Sequence, residues 1–196
     1  MTFAILLPAA GASIRMGGGR DKLMEDIGGV PLLLRQTKRA LATGANVLVT
    51  TRADRPARIN ALEGTGAHLV MVDNPSEGIA ASLRAGIAAL PNGTCAVMIL
   101  LPDLPDIDSP DMQAMLDARA HAPGRILRAV AEDGTPGHPT LFPAHFFPQL
   151  AQVTGDAGAS LLIREAGYHP IPLQGARAIT DLDTPEAWDT WRALHK

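Results

Sequence analysis

Residues 7–23 read Leu-Pro-Ala-Ala-Gly-Ala-Ser-Ile-Arg-Met-Gly-Gly-Gly-Arg-Asp-Lys-Leu. They follow a short apolar run, Phe3 to Leu7, with the character of a buried strand. Small residues and the glycines at 11, 17, 18 and 19 let bare backbone N–H groups approach phosphate oxygens. Arg15 and Lys22 stand where cations would neutralise the charge. A loop of this make-up directly after a strand points to a nucleotide. Spacing excludes the commoner phosphate loops. Five residues separate Gly11 from Gly17 and no Gly-Lys-Ser/Thr follows, so this is not a P-loop. Gly17-Gly18-Gly19 leads into Arg-Asp-Lys, which breaks the Gly-x-Gly-x-x-Gly dinucleotide fingerprint. Arg15 stands where a nucleophile elbow needs glycine.

Outward from this loop, apolar runs alternate with helical patterns. Strands are predicted at 3–7, 46–50, 68–72, 95–101, 126–130 and 140–142, and helices at 31–42, 55–62, 78–90, 110–120, 144–151, 159–166 and 185–194. Pro31, Pro110 and Pro185 stand at first helical positions, with Ser109 and Thr184 as N-caps. The alternation implies a three-layer α/β/α fold around a mostly parallel sheet, with ligands beyond the carboxyl ends of the strands. Gly/Pro-rich segments at 102–110, 133–139 and 154–158 read as loops inside one domain spanning 1–196.

Composition narrows the function classes. The 196 residues carry a formal charge of −3 and 4% aromatics, which leaves neither a basic footprint nor stacking platforms for nucleic acid. No apolar run reaches the ~18 residues of a membrane span. The first ten residues lack the basic start of a signal peptide, and the single Cys95 excludes an internal disulfide framework; both fit the cytoplasm. Cys95 itself reads as a small buried hydrophobe. The remaining histidines show no zinc spacing.

Five further segments carry candidate chemistry. Pro102-Asp103-Leu104-Pro105 places an acid just after a buried strand, where a carboxylate is poorly solvated without a cation. Asp181 and Asp183, two residues apart, point the same way along an extended segment, and Asp183-Thr184-Pro185-Glu186 is also a helix start. Asn74-Pro75-Ser76-Glu77-Gly78 runs into a helix whose small first turns, including Ser82, admit a base or ribose. Gly134-Thr135-Pro136-Gly137-His138-Pro139 forms an irregular loop whose His138 can donate to a phosphate or an acceptor ring. Asp156, in Gly155-Asp156-Ala157-Gly158-Ala159, reads equally as a helix N-cap or an acceptor contact.

Ala-Ala-Gly-x-Ser-x-Arg-Met-Gly at 9–17, with Asp-Lys-Leu at 21–23, resembles the signature of the nucleotidyltransferases that join a nucleoside monophosphate to a phosphorylated acceptor. Gly-x-Pro-Gly-His-Pro at 134–139 makes the chain most similar to the molybdenum cofactor cytidylyltransferases, with the guanylyltransferases of the same cofactor as near relatives. The resemblance implies a Rossmann-like nucleotidyltransferase fold. It implies that Ala9, Ala10, Gly11, Arg15 and Lys22 wrap the triphosphate of CTP or another NTP, that Asn74, Gly78 and Ser82 lie near base and ribose, and that Asp103 and Asp181 hold Mg²⁺. Gly137, His138, Pro139 and Asp156 would face molybdopterin, and Arg15, Lys22 and Asp103 would carry the catalysis. Pro102 stands where the family usually has glycine. A cofactor-receiving molybdoenzyme or its chaperone is the implied partner, since such cofactors are labile. Three other readings stay open: a cytidylyltransferase for another phosphorylated acceptor, a non-catalytic nucleotide-binding cofactor chaperone, and the guanylyltransferase. Ala10 adds a β-carbon where guanylyltransferases usually have glycine, which suits a pyrimidine.

Overall fold

The computed structural model describes residues 2–11, 16, 20–74, 77–155 and 157–195. Its strands are β1 (Thr2–Pro8), β2 (Asn46–Thr51), β3 (His68–Met71), β4 (Thr94–Ile99), β5 (Leu127–Val130), β6 (Pro136–Pro143) and β7 (His169–Pro172). They form one sheet in the order β3-β2-β1-β4-β6-β5-β7. β1 is parallel to β2 and β4, β2 to β3, and β5 to β7, whereas β6 runs antiparallel to β4 and β5. The helices are α1 (Leu32–Leu41), α2 (Pro56–Leu62), α3 (Ile79–Ala88), α4 (Ser109–Ala118), α5 (Phe147–Leu150), α6 (Ser160–Ala166) and α7 (Pro185–Leu194).

The three layers follow from the period of two along each strand. Ile5 and Leu7, Val47 and Val49, and Ala96 and Met98 share one apolar cluster with Leu33 of α1, Met112 of α4 and Trp188 of α7. Their neighbours Leu6, Leu48, Val97 and Ile99 point the other way, into a second cluster with Leu83 of α3 and Ile163 of α6. Both faces of the sheet are therefore covered, and its central strands read as unbroken apolar runs. No helix among the described residues is long and apolar enough to cross a membrane.

The mostly parallel α/β architecture is as expected, with four local corrections. β7 arises from His169-Pro170-Ile171-Pro172, a segment that two prolines disguise; it sits at a sheet edge, where prolines are tolerated. β6 begins at Pro136, so His138 and Pro139 belong to a strand. Asp108, not Ser109, caps α4: its carboxylate accepts from Asp111 N at 3.0 Å while Asp111 accepts from Asp108 N at 3.1 Å. The Ser109 hydroxyl instead donates to the Arg39 carbonyl at 2.8 Å. Pro31 is the N-cap of α1, with extended ψ of 140°, so the helix begins one residue later. Thr184 caps α7 as expected, accepting from Ala187 N at 3.3 Å. Cys95 is half-buried, its thiol donating to the Thr2 carbonyl at 3.2 Å.

Topology sets where the site lies. The loops after β1, β3 and β4 leave from one edge of the parallel part of the sheet. Because β6 is antiparallel, its first residues reach that same edge, which brings Gly137 and His138 beside the loop after β4.

Candidate active site

Three segments distant in sequence meet at this edge. Lys22 opens a short 3₁₀ turn, Lys22–Met24, capped by Asp21, whose carboxylate accepts from Leu23 N at 3.1 Å. The Lys22 Nζ donates to Asp103 Oδ2 at 2.5 Å and also to Asp183 Oδ1. The Leu182 N–H donates to the Asp103 carbonyl at 3.0 Å, which pins the two acidic segments together. Burial pulls the Lys22 ammonium down, but Asp103 and then Asp183 outweigh it and hold its pKa above the ordinary value. Lys22 is thus a fixed cation at the strand ends. Among the described residues, two of its three donors are used by carboxylates.

Asp183, expected as part of a helix start, is the acid that grips Lys22, and it is 9% exposed. Asp181 lies on the rim. Burial, then the charge of Asp183, then that of Asp103 push its carboxyl above the ordinary value. The three acids therefore feel one another.

Buried side chains position this cluster. The Gln36 Nε2 donates to the Leu104 carbonyl, and Arg39 donates to the carbonyls of Pro105 at 2.6 Å and Ile107 at 2.8 Å, so α1 holds the segment that carries Asp103. Arg58 of α2 is fully buried. Its guanidinium grips both Asp21 oxygens at 2.7 Å, the Gly11 carbonyl at 2.9 Å and the Ala9 carbonyl. It thereby ties residues 9, 11 and 21 to α2. The sequence reading missed Arg58. The available signal was its place four residues before buried Leu62, a cation on the apolar stripe of an amphipathic helix.

The residues that follow β1 adjoin the 72–81 segment. Ala10, 3% exposed, packs with Val72 and Ala81. Ala9 is buried, its N–H donating to the Thr50 carbonyl at 2.9 Å, while Gly11 is exposed and a Cβ there would meet no atom of the described residues within 4 Å. Asn74 donates to Glu77 at 2.8 Å, and Glu77 also accepts from Arg84 of α3. Gly78 precedes α3 with φ of 70°, a conformation that favours glycine. Ser82 is 3% exposed. Arg15 and Asp156 lie outside the described residues.

On the β6 side, a Cβ at Gly137 would fall 2.0 Å from the Ala178 carbonyl, so close backbone packing by itself demands glycine there. The His138 N–H donates to that carbonyl at 2.9 Å, and Pro139 is buried after a cis peptide bond. Burial, reinforced by the Arg128 charge, pushes the His138 imidazole down to about 4, so it is neutral at pH 7. The ring donates to the Ile99 backbone, and its Nδ1 is buried without a partner among the described residues. The neutral ring therefore brings no positive charge to a phosphate.

Among the described residues, no three carboxylates or imidazoles form a ready-made cation cage. Mg²⁺ does not require one, since it is commonly held by one or two carboxylates with waters and substrate phosphates. Asp103 Oδ1 is buried and has no partner among the described residues, and an all-oxygen donor set suits a hard cation. The residues present fit that ion.

A loop of small residues, a fixed lysine and an acid with one free oxygen, all at the strand ends, are the parts of a phosphate-handling site. Residues 4–171 match the MobA-like NTP transferase domain. The chain belongs to this family. Among MobA-like relatives, it is 27% identical over 190 residues to a probable molybdenum cofactor guanylyltransferase from Natronomonas pharaonis, covering 92% of each. It is 30% identical over 196 residues to a 3-deoxy-manno-octulosonate cytidylyltransferase from Methylibium petroleiphilum, covering 94% of this chain and 69% of that one. The crystal structure of Rv0371c from Mycobacterium tuberculosis superimposes with a TM-score of 0.84 at 25% identity, covering 98% of this chain and 96% of that one.

Proposed function

We propose that this MobA-like transferase moves CMP from CTP to the terminal phosphate of molybdopterin, with or without bound molybdenum, and releases pyrophosphate. The observation that carries the reading is the convergence of Lys22, Asp103 and Asp183 at the strand ends beside His138. An oxygen of the acceptor phosphate bonds to the α-phosphorus as the bond to the bridging oxygen of the β-phosphate breaks. A phosphate monoester has a second pKa of about 6 and is largely a dianion at pH 7, so the attack needs no general base. It needs charge cancellation, because an anion attacks a polyanion. Lys22 supplies a positioned cation. Asp103, with Asp181 beside it, would hold Mg²⁺, whose chemistry is to neutralise phosphate oxygens and align them. The loop of residues 9–22 wraps the triphosphate, and Arg58 keeps its ends in register. Gly137 and His138 would face the acceptor, the neutral imidazole adding no charge there.

Lys22→Ala should lower kcat by about 10²–10³-fold, on the scale of lost donors to developing phosphate charge. Wild-type-like steady-state kinetics would remove Lys22 from the mechanism. A guanylyltransferase is the second reading, favoured by similarity over 92% of the Natronomonas protein. Pyrophosphate release, measured with molybdopterin, Mg²⁺ and each of CTP, GTP, ATP and UTP, separates the two. Turnover with CTP is expected. Turnover with GTP alone moves the reading to guanylyl transfer, and none with any nucleotide overturns molybdopterin as acceptor.

A further inference from the structure

A cavity of about 570 Å³ lies between α1, α7 and the 105–108 segment and shares no residue with the cluster around Lys22. Four arginines line it, Arg35, Arg39, Arg177 and Arg192, against three aspartates. The aspartates are engaged. Asp108 pairs with Arg177 at 3.0 Å, Asp106 accepts from Trp191 Nε1 at 2.8 Å, and Asp26 accepts from Gly29 N at 3.0 Å. Arg192 pairs with Glu25 at 3.0 Å. Arg35 and Arg39 are left without a carboxylate partner among the described residues. Arg39 reaches only backbone carbonyls, and Arg35 Nε is buried with no hydrogen-bond partner. The two stand one helical turn apart, where like charges repel. Burial, then the positive charge of Arg35, lowers the Arg39 pKa despite Asp108 and Asp106.

A buried, unpaired guanidinium N–H is costly, and its planar fork matches phosphate oxygens. The cavity also falls within the roughly 300–1,000 Å³ of small-ligand sites. We infer that this cavity binds a small phosphate-bearing anion on Arg35 and Arg39. The inference is independent of the proposed acceptor and nucleotide. The ligand's source is either inorganic, as phosphate or pyrophosphate, or the phosphate tail of a small metabolite. Arg39 also donates to Pro105 and Ile107, so an occupant would touch the side chain that steadies the Asp103 segment.

Trp191 lines the cavity and reports on it. The test is a tryptophan-fluorescence titration of the whole chain with inorganic phosphate, pyrophosphate and ribose 5-phosphate, repeated on Arg35→Gln, Arg35→Met and Lys22→Ala. A saturable response is expected, weakened about 10- to 100-fold in both Arg35 variants, on the scale of a lost charged hydrogen bond. Lys22→Ala should leave it unchanged. Tighter binding of ribose 5-phosphate than of the inorganic anions points to a metabolite; the reverse points to free phosphate. No saturable wild-type response overturns the inference. So does wild-type affinity in either Arg35 variant that retains its circular dichroism, or loss of the response in Lys22→Ala, which would place all binding in the catalytic cleft.

Discussion

Asp103→Asn lowers metal-dependent turnover by about 10²–10³-fold or more, the scale of removing one positioned electrostatic partner of a reacting phosphate. The substitution keeps the shape of the side chain and an oxygen for Lys22, whose bond to Asp183 is untouched. It removes the charge that makes the partnerless Oδ1 a ligand for a hard cation. The cost to stability is small, about 1–2 kcal/mol, because one of the two carboxylates around Lys22 remains. The check is a pyrophosphate-release assay across a Mg²⁺ titration, paired with a thermal melt. A folded variant with undiminished turnover at saturating Mg²⁺ would contradict the assignment. A variant that recovers only at much higher Mg²⁺ would place the whole effect in ion affinity.

Arg58→Met destabilises the chain by about 3–5 kcal/mol, the range for breaking a buried ionic contact by removing one partner. The methionine fills part of the volume but cannot satisfy the carbonyls of Ala9 and Gly11 or neutralise Asp21. Asp21 also caps the turn that presents Lys22, so the loss reaches the active site through Lys22. Arg58→Lys should recover part of the stability and little of the nucleotide affinity, since an ammonium lacks the fork that spans both loop ends. Urea unfolding and CTP titration calorimetry measure the two effects. A stability change below about 1 kcal/mol, within the range of a surface substitution, would mean that the loop ends are held by something else.

The strands of β1, β2 and β4 and the helix starts at Thr184 and Pro185 were legible in the sequence because short-range rules govern them. An apolar run of strand length is buried on both faces wherever it falls, and a threonine before Pro-Glu caps whatever helix follows. Lys22 and Asp103 were legible as charges that a strand end has to employ.

What remained hidden depends on contacts between distant residues. Asp183 lies 161 positions from Lys22 and Asp103 lies 81 from it, so only the folded sheet reveals that one ammonium serves both. Arg58 looked like an ordinary helix cation until its burial against Ala9, Gly11 and Asp21 was seen. His138 gave no sign of its protonation state until burial beside Arg128 made it neutral. β7 was hidden by prolines that only an edge position accommodates. By itself, the sequence determined most of the elements and the layers, because propensity and period act over a few residues. The tertiary structure alone decided the antiparallel β6, the pairing around Lys22 and the protonation of His138, because register and desolvation are properties of surfaces the chain brings together only on folding.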